Sequence, residues 1–325
     1  MSVMSQESGP RVGEAAPVRT PLRYDNRITL QKLEVLCSVV ELGGVSRAAD
    51  HLWVAQSVVS GHLRSLQERL GVRMLYRDGQ KMKLTPAGER VYRWACTTLA
   101  ETRELMRHLD ELTTVENERI VLATSQTVGS YLIPPVLAEF GREWPGAVIS
   151  MNVSEPEAAF DAVASGDCDL GIVIAGTEYE HPHVRCTEIG REEIALVAGS
   201  ESLPEIDELA LADLRSIPVV APAAGVRARD AIDRYLVELG AAPQNVTMEL
   251  GHPEAMKRVI RRGAAACLLF RACVQDELAD GSLREIPIVD ADLSLPVLSI
   301  VRADRELSVR STQLIERTRA YLAAW

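Results

Sequence analysis

The sequence predicts an α/β protein carrying a small all-α head, an N-terminal winged helix-turn-helix followed by two α/β halves. Three observations lead there. Helical apolar periodicity fills the first ninety residues, strands alternate with helices from about residue 119 onwards, and charge divides along the same line. Residues 1–90 hold 13 basic and 9 acidic side chains, a net +4, whereas the remainder holds 22 and 37, a net −15. A small module facing a polyanion, attached to a larger acidic module with another task, accounts for that asymmetry, which the whole-chain charge of −11 conceals.

At 325 residues the chain is long enough for two or more domains, and its 47% hydrophobic and 25% charged residues exclude wholesale disorder and a fibrous repeat. No run of about 20 apolar residues occurs, and the polar N-terminus, with Arg11, Arg19 and Arg23, offers no signal peptide, so the expected compartment is the cytoplasm and no membrane partner is expected. The six cysteines include no Cys-x-x-Cys pair, which speaks against a zinc site or a disulfide framework. Neither a metal nor a cofactor is expected.

Residues 1–27 mix Ser, Gly, Pro, Arg and Glu without apolar periodicity and are expected to form a disordered extension. The first helix begins at Leu30, with Leu30, Leu33, Leu36 or Cys37, and Val40 on one face, and Gly43-Gly44 ends it. A second runs from Ser46 to Leu52, Trp53-Val54 makes a tight connection, and a third runs from Gln56 to about Leu70, where Gly71 stops it. Its inner face is Val59, Leu63, Leu66 and Leu70; Gln56, Ser57, Ser60 and His62 are left outside. Two short helices joined by a tight turn, the second polar on its outer face, form a helix-turn-helix, because one helix fits the major groove and meets base edges there. Arg73, Arg77, Lys81 and Lys83 then surround the turn dipeptide Asp78-Gly79, which reads as a basic wing whose cations neutralise phosphates.

Thr85-Pro86 opens a long helix. Val91, Ala95, Thr98, Thr102, Leu105, Leu109 and Leu112 repeat at steps of four and three, a short dimerisation seam interrupted by two threonines, the alternative being a helix packed on its own domain. The strands and helices that follow are expected at Ile120–Ala123, Leu132–Phe140 (helix), Val148–Val153, Pro156–Ser165 (helix), Leu170–Ile174, Glu193–Ala198, Pro218–Val220, Arg227–Leu239 (helix), Val246–Leu250, Pro253–Arg262 (helix) and Ala265–Leu269. Two such halves joined by crossover strands leave a cleft beyond the carboxyl ends of the strands, where helix N-termini converge.

These residues resemble the LysR-type transcriptional regulators over about Leu30 to Trp325. The specific stretches are Ser46-Arg47-Ala48-Ala49-Asp50-His51-Leu52, Val54-Ala55-Gln56-Ser57-Val58-Val59-Ser60, Leu66-Gln67-Glu68-Arg69-Leu70-Gly71-Val72 and Leu84-Thr85-Pro86-Ala87-Gly88. The resemblance implies a DNA-binding winged helix-turn-helix over 28–88, a linker and dimerisation helix over 89–117, and a two-subdomain, periplasmic-binding-protein-like effector domain over 118–325. It also implies double-stranded promoter DNA as partner, a small effector, and self-association as a dimer or a dimer of dimers. The DNA-binding set is then Arg47, Gln56, Ser57, Ser60, His62, Arg64, Arg73, Arg77, Lys81 and Lys83. Departures from the family pattern are Gly44 and Ala55 where serine is frequent, Ser57 in place of proline, and Gly61 in place of a base; Gly61 shifts weight onto the neighbouring polar residues.

By the same resemblance, effector contacts cluster in Thr124-Ser125-Gln126-Thr127 and in Ala223-Ala224-Gly225-Val226-Arg227. The candidate effector residues are Thr124, Ser125, Gln126, Thr127, Gly225 and Arg227, with His252, Glu254 and Arg271 as weaker ones. Hydroxyls and free N–H groups at helix N-termini favour an anion, so a carboxylate is the first effector to test. The bland alternative is that the threonines and Ser125 cap a helix while Arg227 pairs with a nearby acid such as Asp230.

Three other functions have weaker support in the residues. An α/β enzyme has only Asp167 with Asp169 and His181 with His183 to offer, without a third ligand or a catalytic motif, so no catalytic residue is expected. A redox sensor of the same architecture would use Cys267 and Cys273, six positions apart, although Cys267 sits in an apolar strand where a thiol is inert. A solute-binding protein is separated by the first 90 residues and the missing export signal.

Overall fold

The computed structural model describes residues 28–78, 81–112, 119–175, 183–241, 244–263 and 265–324. The expected extension over 1–27, the turn glycine Gly79, and His181 lie outside the described residues, as does the side chain of Lys81. Two compact units divide the chain, Met1–Thr85 and Pro86–Trp325.

In the first unit, α1 (Leu30–Glu41) starts at Thr29, whose hydroxyl accepts the Lys32 N–H at 3.3 Å. Leu33, Leu36 and Cys37 are buried as the periodicity predicts, but Leu30 lies exposed at the first turn, before the helix reaches the core. α2 (Val45–His51) buries Ala48 and Ala49, and α3 (Gln56–Leu70) buries Val59, Leu63 and Leu66. Gly44 and Ala55 stand at the two N-caps without a side-chain bond to the first turn, so both helices lack the hydroxyl cap a serine supplies. An antiparallel hairpin follows, β1 (Leu75–Asp78) and β2 (Lys81–Leu84). Its base is tied to α3 where the Met74 N–H donates to Gln67 Oε1 at 2.9 Å.

The second unit opens with α4 (Pro86–Leu112). One face of it packs on its own unit: Arg103 donates to the Ser165 carbonyl at 3.1 Å, Thr97 to Asp304 at 3.1 Å, and Glu104 pairs with Arg302 and Arg305. Another face leaves Leu105, Met106 and Leu109 exposed.

Next come β3 (Arg119–Thr124), α5 (Pro134–Glu143), β4 (Val148–Val153), α6 (Pro156–Ala164) and β5 (Leu170–Ile174). They are followed by β6 (Val184–Gly199), β7 (Pro218–Ala221), α7 (Arg227–Glu238), β8 (Asn245–Glu249), α8 (Pro253–Ile260) and β9 (Ala266–Phe270). The chain closes with α9 (Gln275–Ala279), β10 (Leu283–Glu285), β11 (Ser294–Arg302) and α10 (Val309–Ala323). Among the described residues the sheet order is β4-β3-β5-β11-β6-β9-β7-β8, with β10 on β6. β3, β4 and β5 run parallel in one lobe, and β7, β8 and β9 in the other.

β6 joins the lobes: its first half pairs with β11 and its second half with β9. The periodicity predicts only Glu193–Ala198, because Arg185, Glu188 and Arg191 give the first half a charged texture; that half is a crossover strand with one open face. The helix expected over Leu132–Phe140 also differs. A wider turn, Val128–Leu132, precedes α5, which starts at Pro134, since proline has no N–H to continue a helix through that point. β10, β11 and α10 were not predicted.

Candidate nucleic-acid interface and ligand cleft

On α3, burial of Val59, Leu63 and Leu66 forces the opposite face outward, and Gln56, Ser57, Ser60 and Arg64 are exposed along it. His62 departs from the expectation. Its ring is half-buried, with Nδ1 enclosed and without a hydrogen-bond partner, because position 62 lies between the inner and outer faces. Gly61 is exposed, and a Cβ added there would meet no atom within 4 Å. Arg47 on α2 is exposed, as are Arg73, Arg77 and Lys83 around the hairpin, while Arg73 Nε also donates to the Leu75 carbonyl at 3.1 Å. Polar side chains able to meet base edges therefore sit on a helix flanked by cations able to meet phosphates.

In the second unit, the cleft lies where the strands' carboxyl ends converge. From one lobe come Ser125, Gln126 and Thr127 after β3, Glu155 before α6, and Ala175 after β5. From the other come Val226 and Arg227 at the start of α7, Met256 of α8, Phe270 of β9, and Cys273. The enclosed volume is about 100 Å³, and most of its wall is apolar.

Of the candidate effector residues, Ser125, Gln126, Thr127 and Arg227 meet at this cavity. Thr124 is fully buried behind it, its hydroxyl 3.5 Å from the Asn152 carbonyl, and Gly129 packs so closely that a Cβ there would meet Thr124 Oγ1 at 2.5 Å. Ser125 Oγ accepts the Ile174 N–H at 3.2 Å, and Thr127 makes no side-chain cap to the turn it precedes. Arg227 pairs with Glu157 of the facing lobe at 2.9 Å, not with Asp230, whose carboxylate instead accepts the Gly225 N–H at 3.2 Å. Gly225 and His252 flank the cavity; His252 Nδ1 accepts the Glu254 N–H at 3.2 Å as an N-cap.

Arg271 does not line this cleft. It lines a second cavity instead and pairs with Glu193 at 2.5 Å and Glu285 at 2.7 Å, since the Arg271–Cys273 turn directs successive side chains to different sides of β9.

Of a polar knot beside the cleft, the sequence singled out only Glu254. Tyr131, from the lobe of β3, donates to Glu254 of the other lobe at 2.9 Å. Lys257, its side chain almost wholly buried, pairs with Glu254 at 2.6 Å and Glu277 at 2.8 Å, donates to the Cys273 carbonyl, and lies 5.4 Å from the Tyr131 ring centre. Burial and the bond to Glu254 push the Tyr131 phenol upward. Glu192 on β6, next to the knot, is buried; its Oε1 accepts the Ala272 N–H at 2.7 Å, and Oε2 is enclosed without a partner. Burial pushes its carboxyl up to about 7 against the lowering effect of that bond.

The residues of the competing readings have structural occupations. Asp169 accepts the Val121 N–H at 2.8 Å and faces Arg305 at 3.5 Å, and Asp167 accepts from Ser165 at 2.6 Å. Cys267 and Cys273 are free and buried; burial raises both thiols, Cys273 to about 12 despite a weak contact with Thr127. Protonated thiols are poor nucleophiles, so these two give the redox reading no advantage over an effector in the cleft.

Two family models match the chain: a bacterial regulatory helix-turn-helix protein of the lysR family over residues 30–89, and a LysR substrate binding domain over residues 114–323. A probable RuBisCO transcriptional regulator of Gracilaria tenuistipitata var. liui is 26% identical over 285 residues, covering 86% of this chain and 92% of that protein. The uncharacterized HTH-type transcriptional regulator YeiE of Escherichia coli K12 is 29% identical over 266 residues, 80% of this chain and 87% of that protein. Among solved structures, full-length CbnR complexed with its target DNA matches with a TM-score of 0.54 at 20% identity, over 90% of this chain and 100% of that one. A Corynebacterium glutamicum OxyR C206 mutant matches at 0.57 with 18% identity, over 91% and 92%.

Proposed function

The chain belongs to the LysR family of transcriptional regulators, and from that premise we propose which residues grip DNA and which chemistry in the cleft adjusts the grip. Members of the family are regulators, not enzymes: they bind promoter DNA, oligomerise and respond to small effectors.

Gln56, Ser57 and Ser60 read base edges from α3, with His62 at its half-buried flank. Arg47, Arg64, Arg73, Arg77, Lys81 and Lys83 hold phosphates, which sets register and contributes affinity without sequence discrimination. The outward polar face of α3, forced by burial of Val59, Leu63 and Leu66, supports this division. The working regions are 28–88 for DNA, 89–117 for the linker and dimerisation helix, and 118–325 for the effector. Leu105, Met106 and Leu109 on α4 pair with a second copy, and two such dimers form the assembled regulator. No described helix is long and apolar enough to cross a membrane, and the DNA target puts the protein in the cytoplasm.

The effector is a small carboxylate or similar anion with an apolar body. The single observation that carries this reading is Arg227, held at the cavity by Glu157 across the cleft. An entering carboxylate takes the place of Glu157 on the guanidinium and accepts bonds from Ser125 or Thr127, while the apolar wall covers the remainder. Thermal melting of the full chain against paired carboxylates and their neutral amides tests this. A rise with acids alone supports it; equal response to amides contradicts it.

A further inference from the structure

Six helices of the described chain hand over to a residue in the left-handed backbone region. Five of them use glycine there: Gly43 after α1, Gly71 after α3, Gly166 after α6, Gly240 after α7 and Gly281 after α9. The sixth is α2, and its left-handed residue is Trp53, with φ +55°. The local bonds are those of a helix stop that glycine or asparagine ordinarily fills: Trp53 N–H to the Asp50 carbonyl at 3.3 Å, and Val54 N–H to the Ala49 carbonyl at 3.0 Å. A Cβ of any kind is disfavoured in this conformation because it crowds the following carbonyl oxygen, and tryptophan has no side-chain acceptor to compensate for it. Nor does packing compensate. Leu203, the other non-glycine residue of the described chain with positive φ, is only 9% exposed and fills core volume, whereas Trp53 is 94% exposed. The chain thus places its largest side chain where backbone and packing both favour glycine.

We propose that Trp53 contacts duplex DNA, its indole lying against the sugar-phosphate edge of the groove that α3 enters and its N–H donating to a phosphate oxygen. This rests on the reading of α3 as the recognition helix. Gln56 opens that helix three residues later, so the turn at Trp53 lies at the groove rim wherever the N-terminal end of α3 meets bases. The two helices that the turn joins each carry an exposed cation, Arg47 on α2 and Arg64 on α3, so a polyanion is the partner they complement. An indole serves such a rim well, because its apolar face covers deoxyribose while its edge supplies one donor and no charge. The contact contributes affinity to all duplexes alike, without changing which sequence is preferred.

Trp53→Asn separates this role from a structural one, since asparagine tolerates the left-handed region. The full chain is titrated with a labelled duplex from the region upstream of its own gene and with a random duplex, and melted without DNA. Affinity for both duplexes is expected to fall about ten-fold, the size of an aromatic interface anchor. Their ratio and the salt slope stay unchanged, and the melting temperature stays level or rises. Unchanged affinity overturns the proposal, as does a fall in affinity accompanied by a fall in melting temperature. Gln56→Ala, run in parallel, keeps the premise separate: if it lowers the operator-to-random ratio while Trp53→Asn leaves affinity intact, only the Trp53 assignment fails. If neither variant changes anything, the reading of α3 fails with it.

Discussion

Tyr131 donates its phenolic hydroxyl to Glu254 at 2.9 Å across the join of two lobes that crossover strands and the Arg227–Glu157 pair also connect. The bond exists only while the lobes are apposed, and Lys257 shares both partners by pairing with Glu254 and lying over the Tyr131 ring. A cleft that responds to an effector needs contacts of this kind, made in one arrangement and lost in another.

Tyr131→Phe keeps the ring and removes the bond. A hydrogen bond to a charged acceptor contributes about 1.5 kcal/mol or more, so the urea midpoint of the effector unit should fall, and Tyr131→Ala should lower it further by exposing Lys257. Midpoints equal to the parent's in the phenylalanine variant contradict the interlobe role.

Glu192 gives stability a pH dependence. Its carboxyl titrates near 7 in the folded chain because of burial, against 4.5 as a free side chain. The folded form therefore retains a proton that the unfolded chain releases, and stability falls as pH rises from about 4.5 through 7. Glu192→Gln removes that slope. It should be more stable than the parent at pH 8, by at most roughly 3 kcal/mol, with the advantage largely gone at pH 4.5. Urea unfolding at the two pH values measures it, and a pH-independent difference contradicts the assignment.

Gly61 offers a gain of function. Nothing lies within 4 Å of its missing Cβ, and glycine inside a helix costs about 1 kcal/mol relative to alanine. Gly61→Ala should raise the melting temperature. Gly61→Arg should tighten binding to operator and random duplex alike and steepen the salt slope by about one unit, since the added cation meets a phosphate. Gel shifts over a salt series check this; tighter binding confined to one sequence contradicts it.

Arg227 and Glu157 should move effector binding in opposite directions. Glu157→Gln frees the guanidinium and should tighten carboxylate binding severalfold, whereas Arg227→Gln should abolish the preference for acids over amides. Calorimetry with the acid and amide pairs decides it. Tighter carboxylate binding in Arg227→Gln would falsify the anion assignment.

Local signals made much of this legible. β4 and β5 stand at Val148–Val153 and Leu170–Ile174 as their apolar runs predict, and the start of α3 at Gln56 follows from three- and four-residue spacing. Segments whose burial is one-sided were not legible. The first half of β6 carries Arg185, Glu188 and Arg191 on an open face, and only pairing with β11 makes it a strand. The family resemblance singled out Ser125, Gln126, Thr127 and Arg227, and they meet at one cavity because helix N-termini converge there. Position after a strand misjudged Arg271, where a single tight turn decides the side, and position before a helix pointed to Glu254 without its partner Tyr131, which only the folded lobes bring to it.

Binding of the full chain to its upstream intergenic duplex and to random duplex, over a salt series with and without small carboxylates, tests the central claim most directly. The account predicts a steep loss of affinity with salt, a clear preference for the upstream duplex, and a shift in that affinity when the right acid fills the cleft. Equal weak binding to both duplexes at every salt concentration, unchanged by any acid that raises the melting temperature, contradicts it.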